Sequence, residues 1–326
     1  MQEKVSGISI QSGENKSTLD ASAANGVILI GGTKNNKFIA SGGADSLVYT
    51  GGKDVIEKFN AASDQISLSG GDLTKAKISK GSKSVKFKFG NKNALAIKSD
   101  SKIDSLTVDG QNYTFSKNAI AKGDKVTLTS EFSGTYKVAG GEVDGRLVEK
   151  NLTFKGTSTA ESLIGGKKST TFKGGGGADT LVGGTGKDIF FYAKGDTGNV
   201  TVLNFDYAND KINIKRTLSR VTNDNAGLKF EMDSGNSLTL STDNLKNSIN
   251  ASNVLIKTDS TLYWFESDGK LYTSSNSSIK NQIRSVMRSK SNYNIVDLNC
   301  STNLLKKGIA TASETITFNA SRYAKK

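Results

Sequence analysis

The chain has no histidine and no proline in its 326 residues, and only one cysteine and one tryptophan. Without histidine, a Ser-His-Asp or Cys-His nucleophile and a His-ligated zinc site are impossible. Cys300 has no partner within the chain, so there is no intrachain disulfide from which to read a redox compartment. No run approaches the ~18 apolar residues of a membrane-spanning helix. The opening MQEKVSGISIQSGENK lacks the apolar centre of a conventional signal peptide. Apolar residues make up 35% of the chain, low for a globular enzyme, whereas glycine, serine, threonine, asparagine and lysine are abundant. That balance fits short strands joined by polar turns, a narrow architecture that buries few large side chains per residue.

What is present is a nine-residue period. Residues 174–191 read GGGGADTLV-GGTGKDIFF, two consecutive units of the form G-G-x-G-x-D-x-U-x, with U a large apolar residue. Small residues before one aspartate describe a tight turn that permits positive φ, with a carboxylate pointing into it. The apolar residue two positions later, Leu181 or Phe190, shares the aspartate's strand face and points inward. The cassette occurs twice: GGTKNNKFI-ASGGADSLV-YTGGKDVIE (31–57) aligns without a gap on GGKKSTTFK-GGGGADTLV-GGTGKDIFF (165–191), with 13 of 27 positions identical, too many for chance. The echo continues from Phe59 and Asp64-Gln-Ile66 to Phe205 and Asp210-Lys-Ile212, and from the hairpin pattern of 85–97 to that of 228–240. A phosphate-loop reading of the glycines fails, because Leu181 stands where its first glycine is required and Asp188 where its Ser/Thr is required.

These cassettes resemble the calcium-binding nonapeptide repeats of RTX (hemolysin-type) proteins. The resemblance implies a parallel β-roll in which two nonapeptides make one coil, like turns stack eighteen residues apart, and Ca²⁺ sits between stacked turns on hard oxygen ligands. Carried onto this chain, the implied ligands are Asp179 and Asp188 with the turn glycines Gly175, Gly177, Gly184 and Gly186. Asp179 then stacks back on Glu161 and forward on the region of Asp196. Asp188 stacks back on Thr170, which has no carboxylate, and forward on Asp206 or Asp210. In the first cassette Asp45 faces Val27 and Asp54 faces Asn36. Lys34, Lys53 and Lys187 lie in or beside the turns, where a cation raises the cost of placing Ca²⁺.

The expected fold is all-β: two short parallel β-rolls, each followed by antiparallel hairpin layers, with one short C-terminal helix. The expected division is a first roll unit at 1–70, a hairpin segment at 71–155, a second roll unit at 156–215, a hairpin segment at 216–275 and a helix with tail at 276–326. Leu106 and Val108, an Asp109-Gly110 turn, then Tyr113 and Phe115 form a hairpin signal, which Val126, Leu128, Phe132, Tyr136 and Val138 continue. Trp264 reads as a packing anchor in a further hairpin turning at Asp268-Gly269. Ile279, Ile283, Val286 and Met287 share one helical face, with Ser277 or Ser278 as N-cap.

The expected function is a secreted or cell-surface, non-catalytic, calcium-binding β-roll protein whose folding is coupled to external Ca²⁺. By the resemblance, its export partner is the type I secretion machinery, reading a signal in the C-terminal tail. Lys+Arg outnumber Asp+Glu by 44 to 31, a net charge of +13. Scattered lysines protect strand edges, and a basic face also suits polyanionic cell-surface glycans, which leaves open an adhesin or surface-layer module. No arginine-aromatic cluster of the nucleic-acid-binding kind occurs. A C-terminal targeting or folding module of a larger secreted enzyme is a third reading, and the opening STLDASAANGVILIGG already looks like mid-repeat sequence.

Overall fold

The structure, a computed structural model, describes residues 7–206, 209–216, 218–224, 227–232 and 235–241, with the strands 254–258, 263–267, 270–274 and 294–298. The chain folds as two units, one of residues 1–133 with 147–150 and one of residues 134–146 with 151–326.

In the first unit β1 (Ile8–Gln11), β2 (Thr18–Asp20), β3 (Val27–Ile30), β4 (Lys37–Ile39), β5 (Ser46–Tyr49), β6 (Lys53–Glu57) and β7 (Gln65–Leu68) alternate between two parallel sheets. Odd strands pair with odd and even with even, in register steps such as Ile28 to Ser46 and Lys37 to Val55. The stacking distance is therefore eighteen residues, as the nonapeptide period implies, or nineteen where a turn is one residue longer. Antiparallel strands then close both sheets: β8 (Lys77–Lys80), β9 (Ser84–Phe89) and β10 (Asn93–Lys98) extend from β6 through β10. In the same way β11 (Ser105–Val108), β12 (Gln111–Ser116), β13 (Ala119–Lys122) and β14 (Lys125–Leu128) extend from β7 through β11. The β11–β12 turn has φ 47° at Asp109 and 71° at Gly110, the two positive values that a two-residue primed hairpin turn needs.

The second unit repeats the plan. β15 (Gly134–Lys137), β16 (Gly141–Asp144), β17 (Leu152–Lys155), β18 (Glu161–Ile164), β19 (Thr170–Lys173), β20 (Thr180–Val182), β21 (Ile189–Tyr192), β22 (Asn199–Leu203) and β23 (Lys211–Ile214) alternate between two parallel sheets. β24 (Leu218–Asp224), β25 (Gly227–Met232) and β26 (Ser237–Ser241) are antiparallel and join the roll through β22–β26. β27 (Val254–Thr258), β28 (Tyr263–Ser267), β29 (Lys270–Ser274) and β30 (Asn294–Leu298) extend the other sheet from β23, with the expected hairpin between β28 and β29.

The two units expose one misreading. Tyr136 and Val138 do not continue an antiparallel layer: residues 134–155 already form parallel coils, with Tyr136 opposite Phe154 and Phe154 opposite Phe172. Alternation reveals which face a residue takes and nothing about strand direction, whereas the eighteen-residue spacing of these aromatics does mark a coil. The helical face of Ile279, Ile283, Val286 and Met287 lies outside the described residues, as does the side chain of Trp264. Among the described residues the one helical turn is a 3-10 turn at Leu73–Lys75.

Each core is a pair of facing ladders. In the first unit Leu29, Leu47, Ile66 and Val108 stack on one sheet and Leu19, Phe38, Ile56 and Ile97 on the other, all buried. In the second, Leu163, Leu181, Val202 and Leu240 face Phe154, Phe172 and Phe190. The Phe172 and Phe190 rings are parallel within 2° at 4.8 Å, and Phe154 stands 5.6 Å behind Phe172. The glycines serve two different needs. Gly177 has φ +87°, a left-handed turn residue, whereas Gly184 has no such φ and is glycine because a Cβ there would lie 2.0 Å from the Gly166 carbonyl oxygen of the stacked turn.

Because Phe172 sits mid-ladder with no solvent exposure, Phe172→Ala leaves a cavity that neighbouring coils cannot fill. The expected cost is about 3–5 kcal/mol, read as a lower urea midpoint.

Candidate metal centre

The sixth residue of each nonapeptide decides what its turn can bind. In Asp45, Oδ1 accepts the Val27 N–H at 2.9 Å from the coil behind, and Oδ2 accepts the Ser41 N–H at 2.6 Å from its own turn. Asp188 does the same with Thr170 N–H at 2.7 Å and Gly184 N–H at 2.6 Å. The pattern continues forward. Asp64 takes Asp45 N–H at 3.0 Å and Asn60 N–H at 2.7 Å. Asp210 takes Asp188 N–H at 2.8 Å and Asp206 N–H at 2.9 Å. All four carboxylates are buried. Each is thus a staple: one oxygen ties coil to coil and the other closes the turn. Burial disfavours the charge of three of them, raising Asp64 and Asp188 above the usual carboxylate range and pushing Asp210 up to about 6.

Asp179 breaks the pattern. Its Oδ1 accepts the Glu161 N–H at 3.0 Å, as a staple should, but its buried Oδ2 has no partner. One coil behind, Glu161 Oε1 accepts the Thr157 N–H at 3.2 Å and the Thr157 hydroxyl, and Glu161 Oε2 is likewise buried without a partner. The two open oxygens flank the first residues of consecutive turns. A Cβ at Gly174 would meet Asp179 Oδ2 at 2.2 Å, and one at Gly156 would meet Glu161 Oε2 at 3.0 Å and the Gly174 carbonyl at 2.1 Å. Two buried carboxylates, each with an unused oxygen and packed against bare turn backbone, require a cation or a proton between them. Asp179 accordingly is pushed up to about 7, by burial first and then by the neighbouring Glu161 carboxylate.

This donor set fits calcium. Glu161 and Asp179 would hold the ion together with backbone carbonyls of the 156–160 and 174–178 turns, including those of Gly156 and Gly174, all hard oxygens. The described residues contain no group of three or more His, Cys, Asp or Glu side chains that could hold a metal, so the remaining ligands would be backbone carbonyls. Asp196 is not the stacked neighbour. Thr180 pairs with Thr201, which places Val200 ahead of Asp179, and Asp196 Oδ2 binds the Ala193 N–H at 2.7 Å. Its charge nevertheless contributes to the raised pKa of Asp179.

The other columns of turns are less demanding. Asn36 Oδ1 and Asp54 Oδ2 are also buried without partners, stacked eighteen residues apart, but together they carry at most one negative charge. The Asn36 amide donates to the Gly32 and Lys34 carbonyls at 3.2 and 2.7 Å, so its hydrogens already occupy oxygens that an ion would use. Asn204 does the same to Gly183 and Gly184 beside Asp188. The structure therefore brings Glu161 together with Asp179 and Asp188 with Asp210, with Asp206 tied to Asp210 through its own N–H, while it sets Asp45 and Asp54 in separate columns. It also reveals Asp64 as the partner of Asp45. The echo between Asp64-Gln-Ile66 and Asp210-Lys-Ile212 was the signal for it.

The family model of the RTX calcium-binding nonapeptide repeat matches residues 28–56 and 156–199 in four copies, so these segments are RTX repeats. No curated protein matches the chain. Among solved structures, the extracellular lipase LipA from Serratia marcescens is similar with a TM-score of 0.26 and 17% identity. That likeness covers 69% of this chain and 37% of the lipase chain, so the chain spans little more than a third of that protein's length.

In metal-free protein the folded state retains a proton on Asp179 up to about pH 7, while an unfolded aspartate loses it near 3.9. Folded chains then bind more protons than unfolded ones across that window, so stability falls as pH rises from about 4 to 7 and levels off above. In chelator, the urea midpoint is expected to be higher at pH 5 than at pH 7.5, with the gap narrowed by Asp179→Asn. A midpoint indifferent to pH would contradict the open-oxygen pair.

Proposed function

We propose that the chain is a calcium-binding β-roll protein that works outside the cytoplasm as a folded scaffold without chemistry of its own. The observation that carries the reading is the pair of unsatisfied, buried carboxylate oxygens on Glu161 and Asp179, set within an RTX repeat. Calcium bound there supplies charge neutralisation and a bridge between successive coils. The chain's own residues do the rest: Glu161 and Asp179 position one oxygen each, Thr157 orients Glu161, and the bare backbone at Gly156 and Gly174 lets the turns close over them.

The location outside the cytoplasm is supported by the kind of site this is. A site with two carboxylates and carbonyls suits the ~10⁻⁴–10⁻³ M range of extracellular calcium modules. In a calcium-poor cytosol the carboxylates repel and the narrow core offsets little chain entropy, whereas outside, ligand at a hundred times Kd adds about 2.7 kcal/mol. The second unit is thereby the calcium-dependent one, and export through a narrow channel before folding is compatible with that order of events. A role without catalysis is supported by the lack of histidine and by the aspartates' engagement as staples of the backbone.

Calorimetric titration of chelated protein tests the reading. Ca²⁺ is expected to bind with a measurable rise in melting temperature. Glu161→Gln combined with Asp179→Asn, which keeps the Thr157 and Glu161 backbone bonds, is expected to abolish both effects, while Asp45→Asn leaves them. Undiminished binding in the double variant would exclude this site.

A further inference from the structure

The turns of the first unit that carry Asn36 and Asp54 present an outer face unlike anything a calcium column requires. Four successive turns along one edge of that roll line an open, shallow cleft of about 360 Å³, a shape suited to a chain laid across it and not to an enclosed small molecule. Its charged lining is cationic throughout, consisting of Lys16, Lys34 and Lys92. None of the three pairs with a carboxylate among the described residues. They follow the stacking axis, because Thr18 pairs with Lys37, Lys37 with Val55 and Lys53 with Ala94. The cations are therefore arranged in a line and not gathered around a point.

The neutral residues are oriented to the same end. Asn35 Oδ1 accepts the Lys53 N–H at 2.8 Å and Asn93 Oδ1 accepts the Gly52 N–H at 3.2 Å. Those bonds fix which end of each amide faces the backbone and leave both NH₂ groups as donors. Gly52, between the Lys34 and Lys92 turns, adds no side chain to the floor. Three ammonium groups and two fixed amide donors, with no carboxylate, define a site for oxyanions. The lining has no aromatic ring and no guanidinium on which a base could stack, the feature that single-stranded nucleic acid sites depend on.

We infer that this cleft binds the carboxylate-bearing sugars of a linear acidic polysaccharide, with Lys16, Lys34 and Lys92 on the carboxylates and Asn35 and Asn93 on neighbouring oxygens. The inference rests on the first unit alone and is independent of whether calcium binds between Glu161 and Asp179.

The test is titration of the full chain with an oligogalacturonate in chelator at low salt, comparing Lys34→Glu/Lys92→Glu with Lys117→Glu/Lys122→Glu. The second pair makes the same charge change at two exposed residues, one in a turn and one at a strand end, that do not line the cleft. The cleft pair is expected to lose about tenfold or more in affinity, two reversed contacts of a few-fold each, and the control pair less than threefold, with thermal melts of both unchanged. Equal losses in the two pairs would mean diffuse attraction to the +13 chain and overturn the site. So would tighter binding of a single-stranded oligonucleotide of equal charge, tighter binding of inorganic phosphate, or no binding.

Discussion

The bond on which both units depend runs from a buried carboxylate in one turn to a backbone N–H of the coil before, eighteen or nineteen residues earlier and twenty-two at Asp210. Strand pairing alone would hold each sheet of a roll, but it leaves the donors at the turn corners facing inward with no acceptor. Asp45, Asp54, Asp64, Asp179, Asp188 and Asp210 fill that need. An aspartate suits the place because it is short enough to stay inside the turn and has a second oxygen for the turn's own N–H. The consequence is a column of buried negative charge along each edge, which hydrogen bonds from neutral donors offset only in part. The raised pKa values of Asp54, Asp64, Asp179, Asp188 and Asp210 are the residue of that conflict.

The thin core follows from the same geometry. Each nonapeptide sends one aliphatic or phenylalanine side chain inward at its eighth position, Leu47 and Ile56 in one coil and Leu181 and Phe190 in another, with little besides Tyr49 and Ala40 to add in the first. Turns can stack closely only where side chains are absent, which is why Gly184 must be glycine without needing an unusual φ. The antiparallel strands at the end of each roll solve a different problem: they cover the last parallel pair with Phe87 and Val85 in one unit and Phe230 and Leu238 in the other, all buried.

Much of this was legible in the residues. The nine-residue period places Leu181 and Phe190 inside and matches Asp45 to Val27, Asp54 to Asn36 and Asp188 to Thr170, while alternation across polar turns marks the antiparallel pairs near 85–97, 106–115 and 228–240. Where reading failed, two patterns coincided or a local count ran short. Residues 134–155 contain no glycine-aspartate nonapeptide, and their alternation looks the same for parallel and antiparallel partners. Asp196 lies near the eighteen-residue step from Asp179, yet the longer turn before β22 displaces the register to twenty-one. The open oxygens of Asp179 and Glu161 were beyond any count, because they depend on which N–H groups the turn happens to direct at them.

That dependence explains how two copies of one cassette arrive at different chemistry without changing fold. The bond from the sixth residue to the previous coil requires one acceptor oxygen, and the remaining atoms of that side chain are unconstrained by it. Glutamate at 161, where the first copy has Val27, brings a second carboxylate to face Asp179; asparagine at 36, where the second copy has Thr170, faces Asp54 with an amide whose hydrogens close on Gly32 and Lys34. The first arrangement accumulates negative charge that only a cation or proton relieves. The second satisfies its carbonyls internally and can carry Lys34 on the outside of the same turn, beside Lys16 and Lys92. One repeat scaffold thus tolerates an inward site for a cation in one unit and an outward site for an anion in the other, since the staple that folds the roll does not distinguish between them.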